Sequence, residues 1–260
     1  MIVQNIIDTV AEVKEQLQLE LNHPYVKRFV HHPMIDEDKL LYLCSFLQHT
    51  SVEEEQLKDY VVSVMLVQIG LDTHDLVSIK PVKNDHQLLQ ERQLTVLAGL
   101  YYSSLYYYYL SKNGSLQLMN ETASAIKNIN VEKMKYYKRQ YHSVDDVMRS
   151  LFVVEAALIE SVCSHFKEEE WKVLLTHAAF IKRLIHEKMA YINYGTSKLF
   201  DQLKSCLSIH TNDEHQNVME TVEKYINDSR KIIERLNSSL YFNKELKVNL
   251  DELIRSTRDD

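Results

Sequence analysis

The sequence predicts an all-α protein, read as one helical domain over residues 1–260. Three observations carry that expectation. Turn-forming residues are scarce: four glycines and three prolines in 260 residues, roughly 3% where an average protein has about 12%. Strands need turns, and turns are built mostly from Gly, Pro, Asn and Asp, so a sandwich, a barrel or a many-stranded α/β sheet is excluded. Apolar residues recur at steps of three and four, the period of a helix face. The balance of 45% hydrophobic and 26% charged residues is that of a globular chain long enough to bury a substantial core.

The elements follow in order. Ile6, Val10, Val13, Leu17 and Leu21 form a one-sided stripe, and that helix should end before Pro24, because the residue preceding proline is pushed out of the α region. Asp36 can cap a second helix through Leu40, Leu41, Leu43 and Phe46. A third is expected over 52–76, and from Val61 it is apolar on nearly all sides (VVSVMLVQIGL), the mark of a buried central helix. Pro81 places a connecting loop at 77–86. A second long apolar helix over 87–112 should stop at Asn113-Gly114. Helices at about 116–140, 144–166, 169–192, 196–208, 214–238 and 243–256 complete nine or ten. The clearest is 144–166, where Ser143 is a candidate cap and Val147, Leu151, Val154, Leu158 and Val162 share a face. The helices at 52–76 and 87–112 are expected to form the core.

Several function classes are excluded by composition. No stretch reads GxGxxG or GxxxxGK[ST], so no glycine-rich phosphate loop exists. A formal charge of −7 gives no electrostatic support for nucleic-acid binding. Cys44, Cys163 and Cys206 lack CxxC spacing and read as free thiols in a reducing cytoplasm. MIVQNIIDTVAEVKEQ lacks the basic region of a signal peptide, and no apolar run approaches the ~20 residues of a membrane span. His31 and His32 are adjacent and cannot share a helix face, and no HExxH or EF-hand pattern occurs. The expected setting is cytoplasmic.

Two features of the central helices carry chemistry. In Leu71-Asp72-Thr73-His74-Asp75, Asp72 and Asp75 stand at i and i+3 and can face one side. Carboxylates ending an apolar segment must pair, cap or bind a cation, and Lys80 and Lys83 are candidate salt-bridge partners. The other feature is Arg92-Gln93-Leu94-Thr95-Val96-Leu97-Ala98-Gly99, followed by an aromatic run ending in Tyr106–Tyr109. Ala98 and Gly99 allow a neighbouring helix to approach closely, and the tyrosines supply apolar walls with polar tips. Helical geometry spreads Tyr106–Tyr109 around the whole circumference, so some face inward and some outward. An outward aromatic stripe has the composition of an interface centre. The competing reading is ordinary core packing.

These residues bring a family into view. The pair of helices resembles the trans-isoprenyl diphosphate synthases, with their H-D-D-x-x-D segment and later L-A-G-D helix. The strings DEDKLL, MLVQ-x-x-LDTHD, RQLTVLAG and SAIKNIN are similar to the small, non-catalytic subunits (component I) of two-component heptaprenyl diphosphate synthases. The resemblance spans about 22–190, is strongest over 36–140, and leaves 200–260 unassigned. It implies an isoprenyl-synthase bundle whose aspartate-rich motifs are eroded. Against H-D-D-x-x-D stand His74 and Asp75, then Leu76 and Ile79; the aspartate of L-A-G-D is Leu100. Where a second aspartate-rich motif is expected, the chain reads Ala179-Phe180-Ile181-Lys182-Arg183-Leu184-Ile185-His186. The family's K-x-x-R becomes Lys39 and Tyr42, its upstream histidine Gln68, and its arginine pair the single Arg92.

What the resemblance implies is an auxiliary subunit that does not catalyse prenyl transfer alone. Its partner would be a catalytic large subunit (component II), and the pair would condense farnesyl diphosphate with isopentenyl diphosphate to the heptaprenyl chain of menaquinone. The chain would have no cofactor of its own, with Mg²⁺ expected in the partner. Lys39 and Arg92 are the candidate substrate contacts and Asp72 and Asp75 the candidate metal contacts; Tyr101, Tyr102 and Tyr106 are the candidate interface or tunnel-shaping residues. For Lys39 the competing reading is a solvated helix face. Two alternatives stand beside the whole: a stand-alone divergent prenyltransferase, and a helical adaptor with no isoprenoid role.

Overall fold

The computed structural model describes residues 5–24, 26, 33–77, 85–207 and 214–257. His31, His32, Ile79, Lys80 and Lys83 lie outside the described residues. Ten α-helices and no strand occur among those described. They are α1 (Ile6–Leu21), α2 (Glu37–His49), α3 (Glu54–Asp75), α4 (His86–Lys112), α5 (Leu116–Lys138), α6 (Val144–His165), α7 (Glu169–Tyr194), α8 (Lys198–Leu207), α9 (Glu214–Ser239) and α10 (Lys244–Ser256).

The starts and stops have local causes. Asp36 Oδ1 accepts from the backbone N–H groups of Asp38 and Lys39, both at 3.1 Å, and starts α2. Ser143 Oγ accepts from Asp146 N at 3.1 Å and starts α6. Three caps were not read from the sequence: Asn5 before α1, Asp85 before α4 and Asn243 before α10. After α4 the chain turns through Gly114 at φ 64, and α7 ends on Gly195 at φ 72. A side chain is strained in that left-handed region, so glycine ends both helices cleanly.

The chain groups into two compact units, residues 1–120 and 121–260. In the first, α3 is the central helix. Its residues from Tyr60 to Val67 are all buried, as expected of a segment apolar on every side. It packs on α1, α2 and α4. The expectation for α4 is only half met. No residue from His86 to Leu97 is buried, and the later turns bury one side alone, through Ala98, Gly99, Tyr102, Tyr106, Tyr109 and Leu110. A helix that is apolar all round need not be enclosed all round, and this one leaves a large apolar face in solvent.

In the second unit α7 is central, packed against α6, α8, α9 and α10. Trp171, Leu174, Phe180 and Leu184 of α7 meet a core that includes Val147 and Val162 of α6, Phe200 of α8, Val222 and Ile233 of α9 and Leu250 of α10. Glu187 organises one edge. Its carboxylate pairs with Arg183 Nη2 at 2.6 Å, accepts from the Ser197 hydroxyl, and accepts from Leu199 N at 3.2 Å. The start of α8 is thus tied to α7 by a buried charge with several hydrogen bonds, the condition under which a buried carboxylate is tolerable. Cys44 and Cys163 are buried, as expected of structural thiols, and Cys206 is half-buried. Burial pushes the Cys44 thiol up to about 12, which leaves it protonated and inert.

Candidate functional site

The candidate site lies in the first unit, where α3 and α4 approach unusually closely. A Cβ built on Gly70 would stand 2.8 Å from the Gly99 carbonyl oxygen and from Ser103 N. A Cβ on Gly99 would stand 2.7 Å from Cε1 of the His74 ring. The two glycines therefore remove the bulk that would hold the helices apart, and the imidazole of His74 lies directly on the backbone of α4. The close approach expected at Ala98-Gly99 is present. Its partner Gly70 was not anticipated, although a glycine inside a long apolar helix costs about 1 kcal/mol relative to alanine and is itself the sequence signal of such a crossing.

One turn from this crossing, three of the candidate polar positions form a chain. Lys39 of α2 is only 7% exposed, which overturns the reading of it as a solvated-face residue. Its Nζ donates to Gln68 Oε1 at 3.3 Å, and Gln68 Nε2 donates to the Asp72 carboxylate at 2.9 and 3.0 Å. The amide relays between a buried cation and an exposed carboxylate. Gln68 spans them because it faces Lys39 across the helix pair and lies one turn before Asp72. Asp75, the last residue of α3, is exposed, and Arg92 is half-buried in the second turn of α4. Among the described residues, no group of three or more His, Cys, Asp or Glu side chains is placed to hold a metal ion.

The tyrosines sort by face. Tyr102 is 0% and Tyr106 2% exposed, so they are core residues, and the expectation that they meet a second chain is corrected. Tyr109 is buried with its hydroxyl donating to Glu20 of α1 at 2.5 Å and accepting from Gln16 at 3.2 Å. Tyr101 is half-buried, its ring 5.5 Å from that of His23. Burial, helped by Glu20, holds the Tyr101 and Tyr109 phenols above the ordinary tyrosine range, so both remain proton donors. The outward side carries different residues: Leu97 at 59%, Leu100 at 54%, Tyr107 at 51% and Tyr108 at 63% exposure. With Leu89, Gln93, Val96, Ser104 and Ser111, also at the surface, they form a stripe with no charged residue over the length of the helix. Positions 89, 93, 96, 100, 104, 107 and 111 step by three and four, which puts them on one side of the helix; the spacing alone does not say that this side faces solvent.

In the second unit, the stretch from Ala179 to His186 offers no exposed acidic residue. Arg183 turns inward between Glu155, 3.3 Å from Nη1, and Glu187. Burial alone would weaken the guanidinium's hold on its proton, but the two carboxylates outweigh it and raise that affinity above the ordinary value. This cation is already answered inside the protein.

The comparisons with known proteins agree with this architecture. Residues 23–236 match the family described as heptaprenyl diphosphate synthase (HEPPP synthase) subunit 1. Over 191 residues the chain is 28% identical to heptaprenyl diphosphate synthase component 1 of Geobacillus stearothermophilus, covering 72% of this chain and 84% of that protein. The fold is similar to a decaprenyl diphosphate synthase from Rhodobacter capsulatus (TM-score 0.69, 12% identity, 97% of each chain). It is also similar to a heptaprenyl diphosphate synthase from Staphylococcus aureus (TM-score 0.64, 12% identity, 99% of each chain). By the match across most of its length, this chain belongs to the heptaprenyl diphosphate synthase subunit 1 family.

Proposed function

We propose that this protein is the auxiliary subunit of a two-component synthase. It pairs with a separate catalytic chain that condenses farnesyl diphosphate with isopentenyl diphosphate into the heptaprenyl diphosphate used for menaquinone. The observation that carries the reading is the outward face of α4. From Leu89 to Ser111 it runs about 33 Å at 1.5 Å per residue and carries no charge. Depletion of charge with enrichment in aromatic residues is what separates the core of a subunit interface from ordinary surface, and here Leu97, Leu100, Tyr107 and Tyr108 are exposed together on an uncharged face. The interface residues in this reading are Leu97, Leu100 and Tyr107, with Tyr102 and Tyr106 supporting the face from within.

The polar site supports the non-catalytic half of the reading. Magnesium at a diphosphate takes carboxylates plus phosphate oxygens. Here Asp72 is engaged by Gln68, Asp75 stands one turn of helix away, and no third acid joins them among the described residues. The donor set does not fit a multi-metal site, and Mg²⁺ is assigned to the catalytic partner. The contribution of this subunit is apolar. Each added five-carbon unit contains several methylene-sized groups worth about 0.8 kcal/mol apiece when removed from water, so a subunit that lengthens the apolar enclosure of the partner sets how far elongation proceeds.

The test is reconstitution. Purified chain with Mg²⁺, farnesyl diphosphate and isopentenyl diphosphate should give no product, and long-chain product should appear only when a catalytic subunit is added. Product from this chain alone would make it a stand-alone prenyltransferase. A catalytic subunit giving the same product length and yield without it would make it an adaptor.

A further inference from the structure

We propose that the exposed face of the C-terminal half of α5 docks the protein onto an anionic lipid surface. The core stripe of α5 is Leu118, Thr122, Ala125 and Ile129, all buried, and no residue from Asn130 to Lys138 is. Beyond Ile129 the helix runs on for about two turns, held on its inner side by half-buried Tyr136, whose carbonyl accepts from Gln202 Nε2 of α8 at 3.2 Å, while its outer side stays open. On the side opposite that stripe, Lys127, Val131, Met134 and Lys138 follow one another at steps of four, three and four, and all are exposed. Val131, Met134 and Tyr137 are 46%, 50% and 53% exposed, three apolar side chains in solvent on a short stretch of helix.

The charge around them is predominantly positive. Between Lys127 and His142 the chain has five cations (Lys127, Lys133, Lys135, Lys138 and Arg139) against the single carboxylate Glu132, in a protein whose formal charge is −7. Glu132 pairs with Lys135 at 2.6 Å. The next two acids, Asp145 and Asp146, are engaged by the Tyr225 hydroxyl and by Arg149. The result is a local basic patch on an acidic protein, with isolated apolar side chains between the lysines.

That pattern selects the occupant. The core of a protein interface is depleted in lysine, and the uncharged outward face of α4 has that composition while α5 does not. A helix that lies in a lipid headgroup layer has this other composition, with Lys and Arg for the anionic headgroups and a few apolar residues that enter the acyl boundary. Tyrosine suits that boundary, with an apolar ring and a polar tip. No helix among the described residues is long and apolar enough to cross a membrane, so the proposed contact is peripheral. The inference rests on this face alone and stands whether or not the prenyl-synthase reading does.

The experiment is co-sedimentation of the full chain with vesicles of phosphatidylglycerol and phosphatidylcholine in equal parts, and with phosphatidylcholine alone. Binding is expected only to the anionic vesicles and should be lost at raised salt. Lys127→Gln and Lys138→Gln should each weaken it about fivefold, and Met134→Ser should weaken it further. Lys231→Glu, at an exposed position of α9, should leave it unchanged. Absence of binding to anionic vesicles, or equal binding by wild type and the lysine variants, would overturn the proposal. A change in oligomeric state on gel filtration of the lysine variants, without vesicle binding by wild type, would assign the face to a protein partner instead.

Discussion

His74 and the two glycines beneath it show how a single atom sets the spacing of this core. Gly70 faces backbone atoms of α4, which cannot yield, so Gly70→Ala should destabilise by about 1–3 kcal/mol, the range for overpacking. Gly99 faces an imidazole, which can be removed. In a double-mutant cycle, Gly99→Ala should cost markedly less in a His74→Ala background than in wild type, a coupling on the order of 1 kcal/mol or more. Urea unfolding midpoints read both. Additive losses would mean that His74 does not fix the helix spacing. The same residues show what a motif can mislead about. The histidine of LDTHD invites a reading in terms of ligands, but its ring is a spacer that only Gly99 accommodates. Lys39 shows the opposite: a lysine in the first turn of a helix reads as solvated, yet in the folded chain it is buried and donates to Gln68 of α3.

The two faces of α4 should respond to mutation in opposite ways. Leu97→Glu with Leu100→Glu places charge in solvent, so the isolated chain should keep its thermal midpoint while losing its ability to pair with a catalytic subunit. Tyr102→Ala empties a buried aromatic site and should cost the fold about 3–5 kcal/mol. Gel filtration of the mixed subunits and thermal melting of the isolated chain separate the two effects. A double Leu→Glu variant that still pairs would remove the basis for assigning this face to the partner. The helix boundaries were legible because they are local: Asp36, Ser143 and Gly114 act within one turn. The facing of α4 was not. A run of four tyrosines presents aromatic bulk all round, so which pair turns inward depends on where α3 and α1 sit. Glu20 and Gln16, which receive Tyr109, come from more than eighty residues away.

For the molecule as a whole, stability should depend on pH through His177, which lies half-buried between α7 and α9. Its Nδ1 is 3.0 Å from Ser229 Oγ and its ring packs edge-on to Phe152 at 5.3 Å. Burial lowers its affinity for a proton below the ordinary histidine value. The unfolded chain therefore binds that proton first as pH falls, and stability is lost from about pH 6.5 downward until the folded form is protonated as well. His177→Gln should flatten the urea midpoint between about pH 7 and 5 relative to wild type; an unchanged slope would place the acid sensitivity elsewhere among the histidines. On this scale the all-α class, a count of nine or ten helices and the resemblance to the family were legible in the sequence alone, because helix period, caps and scarcity of breakers are properties of neighbouring residues. The enclosure of Lys39, the inward turn of Arg183 onto Glu155 and the outward face of α4 were decided only by tertiary structure. Burial and charge pairing depend on which distant helix arrives, and helix periodicity does not carry that information.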